Sequence, residues 1–213
     1  MNAAPDFPFD AIPASPAFVV VVSGPSGVGK TVICDRLIER DPLLVRSVTV
    51  TTRPPRAHEK DGRDYHFWTE ERFQQGIAEG HFLEWAEVHA HHYGTCREDI
   101  ETHLRAGRSP VLNIDVQGGN SVKRAMPEAL LVFITPPTMK DLEHRLRGRG
   151  TDSDEVIRRR LGNAVGELEH WLDYDHVVEN KDLETAVEEV RGILVAERSR
   201  VARIRALLER PKG

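Results

Sequence analysis

The stretch from Ala17 to Arg40 constrains this chain more than any other. AFVVVV is continuous and β-branched, SGPSGVGKT interrupts it with three glycines and a proline, and TVICDRLIER resumes with apolar residues at Ile33, Leu37 and Ile38. A buried strand, a glycine loop and a helix are predicted in that order. Gly24, Gly29, Lys30 and Thr31 satisfy G-x-x-x-x-G-K-[ST] in the strand-to-helix setting that this motif needs. Gly24, Gly27 and Gly29, with Pro25, Ser26 and Val28 between them, let backbone N–H groups converge on phosphate oxygens at a helix N-terminus. Lys30 then reaches the transferred group and Thr31 offers a hydroxyl to magnesium. The expected ligand is ATP with Mg2+. The loop alone does not name a reaction, since motors, GTPases, transport ATPases and kinases share it.

Further along, VLNID and LLVFI are short apolar runs separated by a helical segment, and HVVEN is a last strand before a C-terminal helix. Strands alternating with helices predict an α/β fold, a phosphate-loop NTPase core whose parallel sheet is flanked by helices. Thr69 is a cap for a helix that opens on Glu70 and Glu71 and stops at Gly80, and FLEWAEV has strand character. Another helix is expected from Glu98 to Ala106, one ends at Gly148, and Ser153 caps a long one through Leu161, Val165, Leu168 and Leu172. Ser47 to Gly62 is polar, basic and proline-containing, and reads as short strands and loops inserted off the core.

The formal net charge is −5, from 29 Lys and Arg against 34 Asp and Glu, so no overall basic field exists to draw in nucleic acid. No apolar run approaches the roughly 20 residues of a membrane span. Two cysteines, Cys34 and Cys96, form no disulfide framework, which suits a cytoplasmic protein. Met1 to Pro16 reads as a flexible leader. A homo-oligomer is compatible with the sequence.

The run SVTVTTRPPR from Ser47 to Arg56, followed by Glu59, Gly62, Asp64 and Tyr65, resembles the guanylate kinase family. The resemblance continues through FLEWAEV, Tyr93-Gly94-Thr95, NIDVQGG and RLRGRGTDSDEVIRRRL to HVVEN, and covers nearly all of the chain after Pro16. The residues support it on their own chemistry. Arg53 and Arg56 are suited to gripping a phosphate with bidentate hydrogen bonds, and Tyr65 and Tyr93 add neutral donors. The resemblance implies that Glu84 accepts from guanine N1–H and the exocyclic amine, that Thr49 and Thr95 meet the base, and that Asp115 lies near the amine. Adenine offers an acceptor where guanine offers donors, so a buried Glu84 would be left unpaired against it.

The resemblance also implies a mobile lid at about residues 145–165, with Arg145, Arg149 and Arg160 closing over the triphosphate, and places Asn180 close to the adenine ring. Arg147, Arg158 and Arg159 read instead as solvent-facing or paired with Asp152, Asp154 and Glu155. The chain then divides into a core (17–45, 97–144 and 166–213), a GMP-binding insert (46–96) and the lid. Two departures stand out: His58 replaces a glycine, and Asn113 replaces an acidic residue that is common in the family. His89, His91 and His92 lack the partners of a metal site, and Trp68, Trp85 and Trp171 read as packing residues.

The expected activity is phosphorylation of GMP, with dGMP, by ATP, for which Lys30, Arg53, Arg145, Arg149 and Arg160 carry the charge. Two rivals remain. A phosphate-loop kinase of phosphorylated sugars would not need Glu84 and Thr95, and a protein-binding module on the same fold would not need Lys30 and Thr31.

Overall fold

The computed structural model describes residues 16–56, 59–88, 90–148 and 153–208. Most of the leader, together with His58, His89, Arg149 and Asp152, lies outside these. The central sheet is parallel, with strands β1 (Val20–Ser23), β2 (Leu44–Arg46), β7 (Ser109–Asn113), β8 (Leu130–Thr135) and β9 (His176–Glu179) in the order β2-β7-β1-β8-β9. β1 is apolar on both faces because both faces are covered. Val20 and Val22 join a cluster with Ile33, Leu37, Ile134, Leu142 and Val187, while Val19 and Val21 join Leu83, Ile100, Leu112 and Val122 on the other side. The first face is closed by α1 (Lys30–Arg40), α5 (Met139–Gly148), α6 (Asp154–Leu168) and α7 (Leu183–Arg198). The second is closed by α3 (Arg97–Arg105) and α4 (Val116–Ala125).

A second sheet of four strands projects from this core. It runs β4-β3-β6-β5, from β3 (Val50–Thr51), β4 (His66–Phe67), β5 (Phe82–Val88) and β6 (His91–Cys96). β5 and β6 pair antiparallel, bringing Glu84 opposite Thr95. α2 (Glu70–Ala78) covers this sheet and encloses a third, separate cluster, in which Phe73 stacks on Phe82 at 4.4 Å and both pack with Val50. Thr69 caps α2, its hydroxyl accepting from Arg72 N–H at 3.3 Å, and Gly80 ends the turn after it at φ +70°. No helix among the described residues is long and apolar enough to cross a membrane.

Three expectations need correction. The long helix capped by Ser153 ends at Leu168 and continues only as a 3₁₀ turn to Asp173, and Val165 and Leu172 are 53% and 72% exposed. Their apolar spacing had suggested core, but the buried stripe of α6 runs instead through Ile157 and Ala164. Trp68 does pack against the third cluster, whereas Trp85 and Trp171 are each 47% exposed and fill no core. The C-terminal helix is in fact two, α7 and α8 (Val201–Leu208), joined where Arg203 turns back to pair with Glu197 at 2.7 Å.

Candidate active site

The phosphate loop leaves β1 at the carboxyl edge of the sheet, between β7 and β8, where open α/β sheets form a crevice. Gly24 has φ +140°, and a β-carbon there would stand 2.1 Å from the Ile134 carbonyl oxygen, so the loop turns directly against the β8 backbone. Gly29 precedes α1 at φ +105°. Lys30 Nζ folds back to donate to the carbonyls of Gly24 at 2.5 Å and Pro25 at 3.0 Å. Behind the loop, Asn180 Nδ2 donates to Val28 O at 2.7 Å. Arg145 donates to Val28 O at 3.3 Å, Asn180 O at 2.6 Å and Lys181 O at 3.4 Å. Arg145 and Asn180 therefore brace the loop through its backbone in this state.

Thr31 sits in the first turn of α1, and its hydroxyl oxygen accepts from Asn113 Nδ2 at 3.0 Å. Hydroxyl and amide oxygens are the hard ligands that Mg2+ takes, a few at a time, alongside phosphate oxygens. The donor set around Thr31 and Asn113 fits such an ion.

Asn113 also lines a cavity of about 200 Å³, together with Thr49, Tyr65, Glu84, Ala86, Tyr93, Ile114 and Asp115. Five of the sequence-derived candidates, Thr49, Tyr65, Glu84, Tyr93 and Asp115, thus line the same cavity as Asn113. Thr95 stands one layer behind, fully buried, and its hydroxyl donates to Glu84 Oε1 at 2.6 Å. Asp115 doubles as the cap of α4, its Oδ1 accepting from Gly118 N–H at 2.8 Å. Arg53 lies at the edge, its guanidinium held bidentate by Glu59 at 2.8 and 2.9 Å and placed over the Tyr65 ring at 5.4 Å. Arg56 contributes its backbone N–H to Glu59 at 2.8 Å, while its side chain is exposed. Arg147 pairs with Glu143 at 2.9 Å and Asp154 at 2.5 Å, as a solvent-facing residue would. Arg149 is outside the described residues, and Arg160 lies half-buried on α6.

Electrostatically, Glu84 is the most perturbed carboxylate that faces this cavity. Burial pushes its pKa from an ordinary 4.5 to about 7, partly offset by the Thr95 hydrogen bond and reinforced by the Asp115 charge. Keeping it ionised in the empty pocket costs on the order of 3 kcal/mol. Its contribution to stability is fully present below about pH 4.5 and is lost as pH rises through about 7. A pocket with such a group is tuned for a ligand that brings hydrogen-bond donors.

One residue of the site carried no sequence signal. Glu167, from α6, accepts from Ser26 N–H of the phosphate loop at 3.3 Å. Only its seven-residue separation from Arg160, two helical turns along one face, would have pointed to it.

Similarity to known proteins agrees with this geometry. The family model described as "Guanylate kinase" matches residues 17–197. The chain is 46% identical over 185 residues to a guanylate kinase of Caldanaerobacter subterraneus, covering 87% of this chain and 90% of that one. It is 49% identical over 189 residues to a guanylate kinase of Anaeromyxobacter dehalogenans, covering 88% and 84%. The crystal structure of guanylate kinase from Anaplasma phagocytophilum superposes with a TM-score of 0.74 at 34% identity, covering 92% of this chain and 96% of that one. With the phosphate loop, the two sheets and the match over residues 17–197 in agreement, the chain belongs to the guanylate kinase family.

Proposed function

We propose that this protein transfers the terminal phosphoryl group of ATP to GMP, and to dGMP, yielding ADP with GDP or dGDP, in purine nucleotide metabolism. The observation that carries this reading is the position of Asn113, which hydrogen-bonds Thr31 of the donor loop while lining the Glu84 cavity. Donor and acceptor sites therefore share a wall, as direct transfer between two bound nucleotides requires.

The roles follow from chemistry. Residues 46–96 hold most of the acceptor: Glu84, oriented by Thr95, accepts from guanine N1–H and the amine, with Thr49 beside it and Asp115 contributed by the core. Tyr65, Tyr93, Arg53 and Arg56 take the acceptor phosphate, and Arg53 exchanges Glu59 for that phosphate. Lys30 leaves the Gly24 and Pro25 carbonyls for the transferring group. Arg145, Arg149 and Arg160 belong to a lid at about 145–165 that adds positive charge and excludes water. Thr31 would hold Mg2+, which would supply charge neutralisation during transfer. No general base is needed, because an acceptor phosphate is already anionic at neutral pH. A cytoplasmic location suits the two unbridged cysteines.

The test is ADP release across GMP, dGMP, AMP, CMP, UMP and ribose bisphosphate. GMP should exceed AMP in kcat/KM by about 10⁴-fold, the discrimination expected where a buried acceptor would go unpaired. A preference for AMP or for the sugar phosphate would overturn the reading.

A pH dependence follows as well. Donors on guanine favour ionised Glu84, so GMP binding releases a proton below about pH 7. The GMP dissociation constant should rise about tenfold from pH 8 to pH 6, beyond the change seen in Glu84→Gln, which shares the titration of the ligand phosphate but not of the carboxyl. Identical pH profiles for the two proteins would dissociate Glu84 from the base.

A further inference from the structure

Glu167 places a carboxylate on a backbone N–H of the phosphate loop. α6 carries Arg160, Ala164 and Glu167 at spacings of four and three residues, so the three share one face. Ala164 is fully buried, and Arg160 and Glu167 flank it half-buried. At the end of that face Glu167 Oε2 accepts from Ser26 N–H at 3.3 Å. Ser26 lies inside the loop, two residues beyond Gly24 and four before Lys30. Burial raises the Glu167 carboxyl above its ordinary value, and the Lys30 ammonium pulls it back down. The carboxylate and the lysine therefore feel one another across the loop.

We infer that Glu167 is a built-in anion that latches α6 to the phosphate loop and must leave Ser26 when a nucleoside triphosphate enters. This rests on the reading of the loop as the ATP site. One N–H cannot serve a carboxylate and a phosphate oxygen together, and two anions within a few ångströms in a half-dry site repel strongly. Release is coupled to the rest of the helix, because Arg160 rides on the same rigid face. Withdrawing Glu167 from the loop re-aims Arg160, so occupation of the loop is transmitted along α6 by a charge exchanged at one amide. Glu167 is in this sense a positioning residue: it acts on the reaction through the loop and the helix.

The experiment separates charge from scaffold. Glu167→Gln keeps an oxygen that accepts from Ser26 N–H but removes the negative charge, and Glu167→Ala removes both. Binding of ATP-Mg and, separately, of GMP is measured by calorimetry without the other substrate, alongside thermal unfolding. The latch predicts that Glu167→Gln binds ATP about five- to tenfold more tightly, with GMP affinity unchanged. Glu167→Ala should bind ATP more tightly as well, even if it melts earlier. A purely structural glutamate would instead give weaker ATP binding in step with lost stability. ATP binding by both variants that is no tighter than wild type sinks the latch alone. A wild-type protein that does not bind ATP sinks the reading of the loop and the latch with it.

Discussion

Lys30→Ala is expected to lower kcat for GMP phosphorylation by about 10³-fold or more while leaving the fold intact, because Lys30 supplies mobile positive charge to a reaction that is mostly charge neutralisation. Its ammonium donates to the Gly24 and Pro25 carbonyls at 2.5 and 3.0 Å. Those are backbone acceptors that water can satisfy in the variant, so thermal stability should change by no more than about 1 kcal/mol. The magnitude on kcat is that of removing one charge aimed at the transferring group in the proposed reaction. Steady-state ADP release with saturating GMP, together with a melting curve, checks both halves. Retention of more than a tenth of the wild-type kcat would remove Lys30 from the chemistry.

Gly24→Ala should be the most destabilising small substitution in the loop. Its β-carbon would lie 2.1 Å from the Ile134 carbonyl oxygen, a backbone atom in the middle of the sheet's edge of contact with the loop, and its φ of +140° is one that L residues rarely adopt. Strain and overlap together predict a loss of about 3–5 kcal/mol, which for a chain of this size lowers Tm by about 8–15 °C. Gly107→Ala is the matched control. Gly107 also has a positive φ, +71°, but open space around it, so only the left-handed penalty of about 1 kcal/mol applies. Calorimetric unfolding of both variants measures the difference, and equal melting temperatures would show that the loop yields without cost.

Much of this architecture is legible in the chain because its signals are long and agree with one another. The apolar runs at β1, β7, β8 and β9 and the caps at Thr69 and Ser153 each have a single physical reading. What escaped depends on tertiary context. β2, three residues from Leu44 to Arg46, is too short to show a period. Val165 and Leu172 carry helical spacing yet face outward, since the core lies on the side of Ile157 and Ala164. In the site, Glu84 and Asp115 line the cavity together with Thr49, Tyr65 and Tyr93, but Thr95 stands behind Glu84. Resemblance named residues without their layering, and hydrogen-bond order is a property of three dimensions. Glu167 and the bracing of Val28 by Arg145 and Asn180 had no local pattern at all, because each is a contact across more than a hundred residues of chain.

The four-stranded sheet has its own small core of Val50, Phe73 and Phe82, separate from the two clusters that clad β1. Its consequence is evolutionary. Thr49, Tyr65, Glu84 and Tyr93, proposed to read the acceptor, stand on or beside this sheet, which meets the core around β1 through Leu83, so mutations around Phe73 and Phe82 can drift with little effect on the grip on triphosphate. The fold is in this respect a socket with a replaceable bit, and its history of substrate choice should be written in residues 46–96 far more than around Gly24.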